Sequence, residues 1–109
     1  MKRKLLFLPR AEADMDTHVT YLVENGASDI AVAFEDAAFD SFERLLKMPF
    51  IGTTREYLNS DFKGIRMWFV HGFGEYLIFY RVLDYSIQIL RILHSSQDTE
   101  SIISVELFD

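Results

Sequence analysis

Apolar side chains repeat along this chain at two different periods, and the change of period divides it in two. Ala11, Met15, Val19, Leu22 and Val23 recur at the three- and four-residue spacing of one helical face. Ile30, Phe34, Ala37, Ala38, Phe42, Leu45 and Leu46 repeat that spacing further on. Beyond residue 64 the pattern shortens to apolar runs rich in β-branched and aromatic residues. Residues 65–70, 76–82 and 87–93 read as three strands, and residues 4–8 as a short strand before them.

The punctuation agrees with these spans. Pro9 suits the first turn of a helix, where its missing N–H costs nothing, and Glu12, Asp14 and Asp16 crowd the helix's positive end. Asn25-Gly26 stops the first helix, and Ser28 is expected to cap the second, with Asp29 in its first turn. The second helix is expected to end at Met48-Pro49, and residues 50–62 read as a loop. His71-Gly72-Phe73-Gly74-Glu75 and Leu83-Asp84-Tyr85-Ser86 are connections too short for a crossover, so the three strands form an antiparallel meander. The first strand, separated from them by a helical hairpin, is free to join the sheet's edge in parallel.

The expectation is a single α+β domain over residues 1–109: an N-terminal strand, an antiparallel helical hairpin, then a three-stranded meander, with the helices on one face. Residues 99–109 form a tail, either a frayed helix or an extended arm. Alternation puts Leu77, Phe79 and Arg81 on one side of their strand and Tyr76, Ile78, Tyr80 and Val82 on the other. In the last strand it groups Ile87, Ile89, Arg91 and Leu93 against Gln88, Leu90, Ile92 and His94. Both faces are apolar and the hairpin can cover only one. The other must meet the tail, a second copy or a partner.

Composition narrows the function classes. Half of the 109 residues are hydrophobic and 26% are charged, enough for one core. Without cysteine there is no disulfide and no thiolate metal site. The start, Met1 to Asp14, carries too short an apolar run for a signal peptide, and no stretch has the length of a membrane span, so a cytoplasmic location is expected. The net charge of −6 argues against nucleic acid as the direct partner. Acids concentrate in the helices and in the segment after His94, which holds Asp98, Glu100, Glu106 and Asp109 without a single cation.

Candidate chemistry is sparse. Arg66, Arg81 and Arg91 stand in apolar strands, where a guanidinium needs an acid, an anionic partner or water. His94, at the end of the last strand, suits a hydrogen-bonding cap or a general base. Trp68 reads as core. His18 and His71 have no ligand-like spacing with His94, so no metal site is expected, and no motif calls for a cofactor.

Taken together, Leu8-Pro9-Arg10-Ala11, Asp14-Met15, Pro49, Gly52, Arg66-Met67-Trp68, Gly72-Phe73, Tyr76 to Arg81, Ile89 to His94 and Asp98 resemble the ParE toxins. These belong to the RelE/ParE superfamily of type II toxin–antitoxin, or plasmid stabilisation, systems. The resemblance spans about the whole chain and is most specific from Arg66 to His94. It implies a toxin that stalls DNA gyrase through protein contact, with a ParD-like antitoxin covering its exposed apolar surface in a hetero-oligomer. No catalytic constellation is then required, and Arg66, Trp68, Arg81, Arg91 and His94 become candidate partner-binding residues. The sibling RelE toxins cut mRNA on the ribosome, and Arg66, Arg81, Arg91 and His94 are the groups such an endoribonuclease would use here. Departures from that pattern are Tyr76-Leu77 where a cation would be wanted, Ser95-Ser96-Gln97 after the last strand, and no tyrosine beyond Tyr85. A member that retains antitoxin binding alone is the remaining alternative.

Overall fold

A proline ends the first strand and begins the first helix. In a computed structural model of the chain, which describes residues 2–54 and 64–108, β1 (Lys4–Phe7) leads almost directly into α1 (Pro9–Glu24). Leu8 stays extended, at φ −70° and ψ 152°, while Pro9 takes the first helical turn. Gly26 then reverses the chain at φ 76°, a left-handed conformation that glycine adopts without strain. Ala27 N–H reaches back to Leu22 O at 2.9 Å, and α2 (Ser28–Lys47) starts at once. Ser28 is therefore the first helical residue and not the cap. The capping position is Ala27, which has no side chain to offer the orphan N–H groups.

The rest of the chain is β2 (Thr53–Thr54), β3 (Ile65–Val70), β4 (Phe73–Val82), β5 (Ser86–His94) and α3 (Thr99–Phe108). Five strands form one sheet in the order β1-β5-β4-β3-β2. β1 pairs in parallel with β5, and every other pairing is antiparallel. The sheet exceeds the expected meander plus N-terminal strand by β2, whose Thr53 and Thr54 pair with Met67 and Arg66. Two residues carry no readable period, so this strand was invisible in the pattern. The other part of the expected 50–62 loop lies outside the described residues. β4 also starts at Phe73, because the Gly72 turn, at φ 77°, is tighter than a five-residue connection.

One register shift reorders the last strand. Phe79 pairs with Arg91 but Tyr80 pairs with Ile89, so Leu90 is an extra residue in β5. A bulge resets the alternation. Ile87, Ile89 and Ile92 consequently face the helices, and Leu90 and Leu93 face away. Strict alternation predicted the opposite grouping for Ile92 and Leu93.

Two cores result. The larger lies between the sheet and the hairpin, built from Phe34, Ala38, Phe42 and Leu45 of α2, Ala11 of α1, and Val70, Ile78, Tyr80 and Ile92 of the sheet. The smaller lies on the other face, where Ile103 of α3 seals Ile65, Phe79, Leu90 and Leu93. The tail is thus a helix folded back on the sheet. Among the described residues, no helix is long and apolar enough to cross a membrane.

Candidate partner-binding surfaces

The candidate residues fall into three places, and the topology decides which. β1 ends at Phe7, so it covers only the first part of β5 and leaves the stretch around Ile92 as an open edge. α1 closes that edge with two side chains one turn apart. Asp14 accepts the Ile92 N–H at 2.9 Å, and His18 Nε2 lies 2.8 Å from the Ile92 carbonyl oxygen. Both backbone groups of Ile92 are thereby satisfied without a strand. Arg91 then donates to both Asp14 oxygens, from Nε at 2.7 Å and from Nη2 at 2.8 Å. This bidentate pair is largely buried, with side-chain exposures of 15% and 12%. Asp14 and His18 were legible only as an i, i+4 pair on a helix that follows a short strand.

Arg66 is held at the opposite side of the sheet. Its Nη1 donates to Gly52 O at 2.7 Å and to Phe50 O at 3.3 Å, and its guanidinium stands 5.0 Å from the Phe50 ring centre. Beside it Tyr80 pins the same turn. The Tyr80 hydroxyl donates to Pro49 O and accepts the Gly52 N–H, both at 2.8 Å. A Cβ on residue 52 would collide with that hydroxyl and sit 2.9 Å from Met67 O, so glycine is required there. Burial pushes the Tyr80 phenol above its ordinary value of 10.0, while the Gly52 hydrogen bond and Arg66 pull the other way. Trp68, half-buried against the larger core, stacks on Phe69 at 4.5 Å.

His94 closes the end of β5. Its Nδ1 lies 2.7 Å from Ser96 Oγ and accepts the Ser96 N–H at 3.1 Å. Its Nε2 lies 3.3 Å from the exposed Glu75 carboxylate. The ring also stands edge-on to Tyr76 at 5.1 Å. Both nitrogens are engaged in holding the β4–β5 end and the turn after it.

Arg81 differs from the rest. Half-buried on the α3 face, it has no side-chain hydrogen bond or ion pair among the described residues. The register sets it in a row across the sheet, Leu6–Gln88–Arg81–Ile65. Ile65 lies under α3, but Leu6 at the other end of that row is 48% exposed. From Arg81 to Leu6 the row emerges from under α3.

Arg66, Arg81, Arg91 and His94 therefore do not converge. Arg66 pairs with Tyr80 and His94 with Tyr76, four residues along β4, or about 14 Å at strand rise. Arg81 lies on the opposite face, and the Arg91 guanidinium is turned to the sheet edge. Among the described residues, no three His, Asp or Glu side chains are grouped to hold a metal ion.

A family model described as "ParE toxin of type II toxin-antitoxin system, parDE" matches residues 5–99. The chain belongs to the ParE toxin family. The family match takes in every strand and both helices of the hairpin, and stops where α3 begins. A solved structure titled "Chromosomal ParDE TA system from P. aeruginosa" aligns with it at a TM-score of 0.70 and 22% identity, covering 85% of this chain and 96% of the other. At that identity the likeness is one of fold. No curated protein sequence matches the chain significantly. This ParE fold thus carries its candidate cations on separate surfaces.

Proposed function

We propose that this protein is the toxin of a two-protein system, a ParE-like inhibitor that binds DNA gyrase and is held inactive by a ParD-like antitoxin. The carrying observation is the dispersal of Arg66, Arg81, Arg91 and His94 in a chain of the ParE family. Phosphodiester cleavage needs an acid, a base and cationic support within contact of one phosphate. Here Arg91 is committed to Asp14, Arg66 to the Gly52 turn, and His94 to Ser96 and Glu75. Inhibition by binding asks for no such convergence and no cofactor. It asks for surface, and the Arg81 row beside α3 supplies a guanidinium ready for a carboxylate on a protein partner. We assign Arg81 to partner contact, with Trp68 at the far edge. Arg66, Arg91 and His94 contribute by fixing the strands that present them.

Gyrase and a co-encoded antitoxin both place the action in the cytoplasm. The deciding experiment is induction of this chain in growing cells, with and without the small gene beside its own. Growth arrest with filamentation and a DNA-damage response, relieved by the neighbour, is the expected result. Immediate loss of protein synthesis would replace this reading with mRNA cleavage. No arrest, with binding to the neighbour's product intact, would leave a member that only binds antitoxin.

A further inference from the structure

The outer edge of β3 gathers arginines and aromatic rings with few acids among them. β2 pairs only with Arg66 and Met67, so the rest of that edge has no strand beside it among the described residues. Trp68 packs on the hairpin face, and alternation gives Phe69 to the other. A register shift between Phe69 and Val70 re-aims the Phe69 ring. The ring stacks on Trp68 at 4.5 Å and 21°. Together the two line a depression with Asp40, Ser41 and Arg44 of α2 and with His71. That wall is fixed: the buried Ser41 hydroxyl accepts the His71 N–H at 3.0 Å and donates to Ala37 O at 2.7 Å.

Arg66 stands two residues before Trp68 on the same face, about 7 Å away at strand rise. Its Nη1 is held by Gly52 O and Phe50 O, and its guanidinium lies over Phe50, which is 59% exposed. Arg3, just before β1, reaches the same ring at 5.7 Å while its Nε donates to Leu83 O at 2.8 Å. Backbone carbonyls and one ring therefore anchor both guanidiniums, with no carboxylate, and Nη2 of each has no partner among the described residues. Arg44 has no side-chain hydrogen bond or ion pair there either. Anchored forks with free N–H groups suit bidentate contact with phosphate. The chain's charge of −6 is carried mostly elsewhere. Asp40 is the one acid lining the depression, and Glu43, near Arg3, is outweighed by Lys2 and Lys47.

Arginines without acids, interleaved with exposed rings, fit a flexible polyanion whose units carry a flat face. We propose that this edge binds single-stranded nucleic acid, with phosphates on Arg3, Arg44 and Arg66 and a base extending the Trp68–Phe69 stack. From Arg66 to His71 the edge runs about 17 Å at strand rise. With Arg3 added, it takes about four nucleotides. Carboxylates alone would match the charges but leave the ring stack unused, and a duplex hides its base faces. The inference does not rest on the toxin reading. It adds a nucleic-acid contact on the hairpin side of the sheet, away from Arg81.

The test uses the purified full chain and hexathymidylate. Trp68 is the single tryptophan of the sequence, so its fluorescence reports this site directly. Saturable quenching is expected, with Kd rising about a hundredfold per tenfold rise in salt, as three phosphate contacts require. Arg44 and Phe69 are exposed, so Arg44→Glu and Phe69→Ala leave the fold intact, which a melting curve checks. Each should raise Kd at least tenfold, read by anisotropy of a labelled oligonucleotide. Lys4→Glu, on the far edge strand, should leave Kd within about twofold. Equal losses in Lys4→Glu and Arg44→Glu would mean attraction by charge at large and overturn the site. Unquenched Trp68 at low salt would overturn it too. Quenching by polyglutamate in place of the oligonucleotide would overturn the nucleic acid and reassign the edge to an acidic protein. None of these outcomes touches the toxin reading.

Discussion

The two faces of the sheet are finished to different degrees. The hairpin face buries Phe34, Ala38, Phe42 and Leu45 completely against Ile78, Tyr80 and Ile92, and the stretch of β5 that β1 does not reach is closed by Asp14 and His18. Among the described residues, the other face is covered by one ten-residue helix, through Ile103 with help from Ile102. Its margins keep Leu6 at 48% exposure and Phe69 at 42%. The first face is what the chain needs in order to fold. The second retains apolar surface and an arginine beyond what its own helix hides, which suits a protein whose activity is to be held by others.

The heaviest loss is expected at the aromatic core. Phe34→Ala is expected to cost about 4 kcal/mol of unfolding free energy, since nothing beneath α2 can fill the space. Ile103→Ala should cost about 2 kcal/mol, the low end for a buried isoleucine, because it lies under a short terminal helix. It should act locally, freeing amides of α3 for hydrogen exchange while the sheet stays protected. Equal global losses at both positions would mean the two faces are one cooperative core. The edge closure comes next. Asp14→Ala strands a largely buried guanidinium and the Ile92 N–H, at about 3 kcal/mol by denaturant titration. The double variant D14A/R91A should be milder than the sum of its parts, the coupling expected of a direct pair.

Smaller effects sharpen the picture at the Gly52 turn. Tyr80→Phe removes the hydroxyl that serves Pro49 O and Gly52 N–H, for about 1–2 kcal/mol. The same phenol gives a pH signature. Burial holds its folded-state value above 10.0, so the folded protein keeps a proton that the unfolded chain has released. Its contribution is fully present below pH 10 and is lost as pH rises through the folded value. Wild-type stability should therefore fall above pH 10, and Tyr80→Phe should reduce that slope. Least of all, Arg81→Ala should change stability by under about 0.5 kcal/mol, yet weaken binding to a protein partner.

Much of this arrangement was legible in the sequence, for identifiable reasons. Helical spacing located both hairpin helices, and Pro9, Gly26 and Pro49 marked their limits. Alternation assigned both sides of β4 correctly, because β4 keeps its phase from Tyr76 to Val82. It failed in β5 at Leu90, since a bulge depends on pairing geometry and leaves no compositional mark. β2 was too short for any period. The role of Asp14 stayed hidden because its partners, Arg91 and Ile92, are more than seventy residues away. At the sequence level it looked like one more acid in the first turns of a helix.

The most direct test of the central claim is DNA supercoiling by purified gyrase in the presence of the purified chain. Inhibition by binding predicts loss of supercoiling with accumulation of cleaved DNA, and recovery when the antitoxin is added first. Full supercoiling activity at saturating protein, from a preparation that still binds the antitoxin, would contradict it.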